Sequence, residues 1–225
     1  MCQVQPFRGL IVDFYGVLTD DIDTAMLAWS EQDGIDYEEF SDAMAQWFGG
    51  LGEFEARFNP VHALERGELE VPQFERKFAA RLVRRDGSSV VADGLVRRMF
   101  SRFLHSQDMA SLVRRIRMTG VRTALLSNSW GDHYLRDGWQ DMFDAVVISG
   151  EVGMRKPEPR IFDLTLRQLS LTPGECVFVD DHDRNVSAAH QLGITGVLHR
   201  DYESTLNELE ALFGRSFNHE ALGGS

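Results

Sequence analysis

The sequence has little cysteine and no long apolar run. Its only two cysteines are Cys2 and Cys176, which excludes a disulfide framework and fits a reducing compartment. A membrane-spanning helix needs about 18 apolar residues in succession, and no such run occurs. The first residues lack the apolar stretch of a secretory signal. These absences predict a cytoplasmic protein without a membrane partner.

Positive charge is also scarce. The chain has 23 lysines and arginines against 35 aspartates and glutamates, a net charge of −12 at pH 7. The arginine pairs at 84–85, 97–98 and 114–115 lie in amphipathic stretches, where an exposed helix face accounts for them. Because a nucleic-acid backbone is bound by clustered positive charge, we expect no nucleic-acid partner.

Five short apolar runs are present, and none of them alternates with polar residues. They cover residues 10–12, 123–126, 145–148, 176–179 and 196–198. Continuous runs of this length are typical of strands that are buried on both faces of a parallel sheet. Apolar residues at helical spacing follow several of the runs, so the pattern predicts an α/β fold with a Rossmann-like, doubly wound parallel sheet.

The interval between the first two runs, residues 21–103, shows helical periodicity and no convincing strand. Asp36 and Glu39 resemble a capping box, and apolar stripes follow at 37–48, 71–82 and 95–103. A helical insert after the first strand would stand over the carboxyl ends of the strands, where ligands bind in such folds. We therefore expect this insert to cover a binding site.

Polar side chains follow four of the five runs. A single aspartate at a strand end is usually explained as a helix N-cap. Four polar clusters at the carboxyl ends of parallel strands are instead expected to converge in one crevice. These side chains are Asp13 after the first run, Ser127 and Asn128 after the second, Lys156 after the third, and Asp180 and Asp181 after the fourth.

In this order the clusters resemble the four motifs of the haloacid dehalogenase-like hydrolase superfamily. The motifs here are Asp13 with Gly16 and Thr19, the Ser-Asn pair, Lys156 followed by proline, and the Asp-Asp pair. The helical insert and the segment 64–69 resemble the cap of the family's first cap class. The resemblance spans nearly the whole chain and implies a core domain at 1–20 and 104–225 with a helical cap domain at 21–103.

The resemblance also implies site roles. Asp13 would be the nucleophile, Lys156 the charge-neutralising cation, Ser127 with Asn128 the phosphate-binding pair, and Asp181 with Asp180 the metal-binding acids. A carboxylate nucleophile divides one difficult step into two easier ones through a covalent intermediate. Mg²⁺ suits this donor set because it prefers oxygen ligands, here the carboxylates of Asp13 and Asp181 and the main-chain carbonyl of Tyr15.

Tyr15 departs from the family pattern. Phosphatases of the family carry a second aspartate at this position, which protonates the leaving alkoxide and activates water. A phenol, with an ordinary pKa near 10, is a poor base at neutral pH, so Tyr15 is expected only to line the substrate pocket. The enzyme could act on acyl phosphates or activated esters, it could be a metal-independent haloacid dehalogenase, or it could bind a ligand without turnover.

The Asp180-Asp181 pair favours a metal-dependent phosphatase over a haloacid dehalogenase. Dehalogenases of the family usually have a serine-rich motif there, whereas two neighbouring acids indicate a metal site, since like charges raise one another's pKa. A structural cap for the following helix is the simpler alternative. The sequence thus predicts Mg²⁺-dependent hydrolysis of a phosphorylated small molecule, with specificity residues within 37–58.

Overall fold

The computed structural model describes residues 7–48, 59–134 and 136–217, and its centre is a five-stranded parallel sheet. The strand order is β3-β2-β1-β4-β5, which confirms the predicted doubly wound α/β fold. The five apolar runs all lie within strands. The bounds are Gly9–Val12 for β1, Arg122–Ser127 for β2, Ala145–Ile148 for β3, Cys176–Asp180 for β4 and Thr195–Leu198 for β5.

Both faces of the sheet are covered by helices, which explains why the strands are apolar throughout. Successive side chains of a strand point to opposite faces. Leu10 and Val12 of β1 therefore pack in one hydrophobic cluster, while Ile11 packs in another on the opposite face. The sheet is thus a middle layer that presents the carboxyl ends of its strands at one edge.

The helices are numbered along the chain. Those that the structure describes between β1 and β2 are α1 Ile22–Asp33, α2 Tyr37–Phe48, α3 Pro60–Glu65, α4 Val71–Ala79, α5 Leu95–Phe100 and α6 Gln107–Met118. Those after β3 are α7 Ser149–Val152, α8 Pro159–Leu169, α9 Asp183–Gln191 and α10 Tyr202–Phe213.

Helices α1 to α5 surround a hydrophobic cluster of their own. Trp29, Phe74 and Phe78 are completely buried in it. The predicted start of α2 is confirmed, because Asp36 Oδ1 accepts from the backbone N–H groups of residues 38 and 39 at 2.9 and 3.3 Å. No strand occurs between β1 and β2 in the described residues. The glycine-rich stretch at 49–52 lies outside them.

The chain enters and leaves this helical segment at adjacent points. The backbone N–H of Asp20 donates to the carbonyl of Leu104 at 2.9 Å, and the N–H of Leu104 donates to Asp20 Oδ1 at 2.9 Å. This pairing falls where the sequence predicts the boundary between core and cap, and the division itself stays a prediction. Among the described helices, none has the length and apolar character that crossing a bilayer requires.

Candidate active site

The ammonium group of Lys156 joins two of the predicted strand-end clusters. Its Nζ lies 2.8 Å from Asp13 Oδ1 and 2.7 Å from Asp180 Oδ2. The lysine side chain is almost wholly buried and lies over the ring of Phe178, with Nζ 5.6 Å from the centroid. Buried charges are stable only when paired, so the two carboxylates hold this lysine in its charged form, and they raise its pKa against the effect of burial.

Asp13 directly follows β1, and its backbone N–H continues the ladder by donating to the carbonyl of Val179 at 2.9 Å. Burial raises the pKa of Asp13; Lys156 opposes this rise, whereas the charges of Asp180 and Asp181 add to it. A further positive charge beside this carboxylate would therefore favour its ionised, nucleophilic form.

Both oxygens of Asp180 are already occupied by protein donors. Oδ2 accepts from Lys156, Oδ1 accepts from the backbone N–H of His182 at 2.8 Å, and the Asn185 amide nitrogen lies 3.0 and 3.1 Å from the two oxygens. The residue is completely buried. Asp180 therefore positions Lys156 and the start of α9.

Asp181 lies beside the loop that carries Asp13. Gly16 in that loop has a left-handed backbone conformation with φ of 77°, and a Cβ there would collide with Oδ2 of Asp181. Glycine is thus needed for the close approach of the two segments. Asp181 Oδ1 is 2.8 Å from Nδ1 of His182, and this hydrogen bond raises the pKa of His182 to about 9.

Ser127 and Asn128 differ in their surroundings. The Ser127 hydroxyl is fully buried, 2.9 Å from the hydroxyl of Tyr134, and Ser127 does not line the cavity described below. Asn128 accepts from the backbone N–H of Lys156 at 2.8 Å and donates to the Lys156 carbonyl at 3.1 Å. Asn128 therefore fixes the backbone that carries the lysine, and the predicted phosphate-binding roles of both residues stay predictions.

Tyr15 lies among aromatic rings at the edge of the site. Its ring centroid is 4.8 Å from that of Phe100, 4.9 Å from Phe103 and 5.5 Å from Tyr134. Burial raises the pKa of the Tyr15 phenol far above its ordinary value, and the charge of Asp13 raises it further. The phenol is therefore protonated at neutral pH.

A cavity of about 480 Å³ opens above Asp13 and Lys156. Its described walls come from α1, α2, α5 and Glu65 of α3, and from the segments that follow β1, β2, β3 and β4. Within the predicted specificity stretch, Tyr37, Phe40 and Met44 line this cavity, while residues 49–58 lie outside the described residues. A volume of 300–1,000 Å³ is usual for ligand sites.

An ion pair between the helical segment and the loop that carries Lys156 was not predicted from the sequence. Arg155, next to Lys156, donates through Nε to Glu65 of α3, and the two side chains are only 10% and 6% exposed. The indole of Trp130 also donates to Glu65, at 3.4 Å. A glutamate in the apolar stretch 60–65 indicates a buried charge that needs a partner. The sequence does not identify that partner, because it lies 90 residues away.

The comparisons with known proteins agree with this geometry. Residues 7–193 match the family model described as a haloacid dehalogenase-like hydrolase. The chain is 31% identical over 214 residues to the mouse acyl-CoA dehydrogenase family member 10, which is 92% of this chain and 19% of that protein. It is 35% identical over 111 residues to the sesquiterpene phosphatase AstK of Aspergillus oryzae, 47% of this chain and 56% of that one.

The fold also resembles a solved structure. An HAD family enzyme of Bacteroides thetaiotaomicron, crystallised with magnesium and inorganic phosphate, superposes with a TM-score of 0.62 at 20% identity, covering 86% of this chain and 94% of the other. The chain spans about a fifth of the mouse relative and about half of the fungal one. With the family model matching most of its length, the chain belongs to the haloacid dehalogenase-like hydrolases.

Proposed function

We propose that the protein hydrolyses a phosphorylated small molecule with the help of Mg²⁺, and that Asp13 is its nucleophile. One observation carries the proposal. Lys156 lies between Asp13 and Asp180, at 2.8 and 2.7 Å, at the floor of a cavity above the carboxyl ends of the strands. A carboxylate held against an ammonium group in a buried site is suited to attack an anionic phosphate.

Two of the comparisons support the phosphatase reading. The fungal relative is named a phosphatase, and the Bacteroides enzyme of the same fold was crystallised with magnesium and phosphate. We apply the phosphatase function of these proteins to this chain because it retains the motif residues Asp13, Lys156 and Asp181.

The donor set fits a magnesium ion. Asp13 and Asp181 both offer carboxylate oxygens to this site, where the charge of Asp181 raises the pKa of Asp13, and Gly16 leaves the space beside Asp181 that a side chain would fill. Because both oxygens of Asp180 already accept hydrogen bonds, we propose Asp181 as the ligand and Asp180 as the partner of Lys156, with the main-chain carbonyl of Tyr15 as a further ligand. When bound, Mg²⁺ would neutralise charge and hold a phosphate oxygen.

The protein side chains then account for the reaction. The Asp13 carboxylate attacks phosphorus, the bond from phosphorus to the leaving oxygen breaks, and an aspartyl phosphate forms. Water then attacks that phosphorus and restores Asp13 with release of inorganic phosphate. Lys156 stabilises the negative charge that is transferred in both steps, while Asn128 and Asp180 keep its ammonium in place.

Tyr15 limits the leaving groups that this site can handle. Its phenol is protonated and has a raised pKa, so it is a weak acid and is not available as a base at neutral pH. We therefore propose that the favoured substrates have leaving groups that depart without protonation, such as acyl phosphates.

Haloacid dehalogenation is a second candidate, which Tyr15 itself favours. An Asp-x-Tyr-Gly sequence is found in that branch, where halide leaves unprotonated. Asp181 opposes it, since Asp180 already serves as the partner of Lys156 and a metal-independent reaction gives the second acid no role.

A substrate panel with Mg²⁺ or with EDTA tests the proposal. It contains acetyl phosphate, an alkyl phosphate ester and a 2-haloacid, and the release of phosphate or halide is measured. We expect phosphate release that EDTA abolishes, no activity in Asp13→Asn, and wild-type activity in the control Asp163→Asn, an exposed aspartate on α8. Halide release that persists in EDTA would replace this function by dehalogenation, and the absence of any turnover would indicate a binding protein.

A further inference from the structure

The cavity above Asp13 is polar at its floor and apolar along its walls. The walls contributed by the helical segment include Met26 of α1, Phe40 and Met44 of α2, and Met99 and Phe100 of α5. Three of these five are methionines, whose flexible side chains adapt to ligands of varied shape. A substrate whose phosphate reaches Asp13 therefore places its remaining atoms against hydrocarbon and aromatic surface.

The charged side chains along the described walls are either paired or peripheral. Glu65 and Arg155 neutralise one another, so neither is free to bind a second charged group of a substrate. Asp23, His182 and Arg184 are exposed to solvent; His182 is paired with Asp181, and Asp23 accepts from the Tyr37 hydroxyl at 3.3 Å. The wall that α1, α2 and α5 contribute thus presents no charged side chain among the described residues other than the exposed Asp23.

Polar groups suited to a sugar or polyol are also few on the wall that α1, α2 and α5 contribute. Asn128 uses both ends of its amide on the backbone of Lys156, and Ser41 is the remaining uncharged polar residue on the described wall of the helical segment, apart from the Tyr37 phenol. Hydroxyl groups that enter such a site lose their hydrogen bonds with water without replacement, which is unfavourable. Hydrocarbon entering it is stabilised in proportion to the apolar area that is buried.

We infer that the substrate is a phosphate compound with a hydrocarbon tail, and that the tail occupies the cavity between α1, α2 and α5. The inference rests on the proposed function for the phosphate end alone. The tail end follows from the apolar walls, where the half-buried side chains of Met44 and Phe100 leave apolar surface accessible to a ligand.

The test varies the hydrocarbon tail of the substrate while its reacting phosphate group stays the same. A series of straight-chain acyl phosphates from acetyl to octanoyl keeps the leaving group nearly constant, so a change in kcat/KM reports on the tail. We expect kcat/KM with Mg²⁺ to rise with chain length by up to about fourfold per methylene. In parallel, calorimetry with non-hydrolysable n-alkylphosphonates, kept below micelle-forming concentrations, measures binding without turnover, and the dissociation constant should fall along the series.

A matched pair of variants locates the effect. Met44→Gln places an amide of similar length on the cavity wall and should lower the ratio of kcat/KM for octanoyl over acetyl phosphate by at least about fivefold. Met118→Gln makes the same change on α6, where the methionine is 74% exposed, and should leave the ratio unchanged. The same pair is compared in the alkylphosphonate titrations.

The outcomes distinguish the two proposals. Phosphonate affinity that rises with chain length without any phosphate release supports the tail site and contradicts the hydrolase function. Phosphate release at a rate independent of chain length, or an equal response of both methionine variants, overturns the tail site and leaves the hydrolase function in place.

Discussion

The ion pair between Glu65 and Arg155 connects the helical segment to the loop that carries Lys156. Both side chains are buried, at 6% and 10% exposure, and Trp130 donates a further hydrogen bond to Glu65. Burial raises the pKa of Glu65, and Arg155 opposes this rise. Replacing Glu65 by glutamine removes the charge and retains the shape, so a buried guanidinium loses its counter-charge.

The loss of folding stability in Glu65→Gln follows from the burial of this ion pair. Removing one partner of a buried ion pair destabilises a protein by about 3–5 kcal/mol, because the other charge is left uncompensated. A loss of 1 kcal/mol lowers Tm by about 2–4 °C in a chain of this size. Glu65→Gln should therefore lower Tm by roughly 6–20 °C. Since an amide still accepts the indole hydrogen bond, we expect a value near the lower end.

Urea unfolding of a double-mutant cycle measures the effect. Glu65→Gln, Arg155→Gln and the double variant are compared with the wild-type protein, and the double variant should lose less free energy of unfolding than the sum of the single variants. Glu68→Gln is the control, since its pair with Arg66 is exposed on the glutamate side and should contribute less than about 1 kcal/mol. Single variants that each cost less than about 1 kcal/mol, or costs that add, would refute the reasoning.

Three further predictions concern the site and its support. Lys156→Met removes the ammonium between two carboxylates and should lower kcat/KM for acetyl phosphate by at least about 10²-fold in a steady-state assay; a smaller loss would contradict its role in charge stabilisation. Tyr15→Asp should raise turnover of alkyl phosphate esters relative to acetyl phosphate, by up to about 10²-fold or more, and an unchanged ratio would show that leaving-group protonation is not limiting. Hydrogen bonds from Thr172 and Arg8 lower the pKa of Glu175 from 4.5 to about 2. Because a lowered pKa stabilises the folded state above the ordinary pKa, the difference in free energy of unfolding between wild type and Glu175→Gln should be constant above pH 4.5 and shrink as the pH falls toward 2; a difference independent of pH would contradict it.

The sheet and the convergence of the site could be predicted from the sequence. A continuous apolar run such as 176–179 has few structural alternatives once helical patterns flank it. Parallel strands then bring their carboxyl ends to one edge, which is why Asp13, Lys156 and Asp180 meet although up to 167 residues separate them. The parallel order of the strands is therefore enough to predict that these three residues lie close together.

The different roles of neighbouring residues within the site could not be predicted from the sequence. Asp180 and Asp181 are adjacent and identical in chemistry, yet opposite side-chain directions place one beside Lys156 and the other beside Gly16. Likewise, the pairing of Ser127 with Tyr134 depends on the fold of a loop whose sequence shows no periodicity. Such contacts depend on side-chain conformations and on loop paths that local patterns do not specify.

The most direct test of the central claim is to trap the covalent intermediate. The protein is mixed with Mg²⁺ and acetyl phosphate, quenched in acid within the first turnover, digested and analysed by mass spectrometry. Phosphate on the peptide that contains Asp13, and its absence in Asp13→Asn, is the result that we predict. Substrate turnover with phosphate on a different residue, or with no labelled peptide at the earliest times, would contradict Asp13 as the nucleophile.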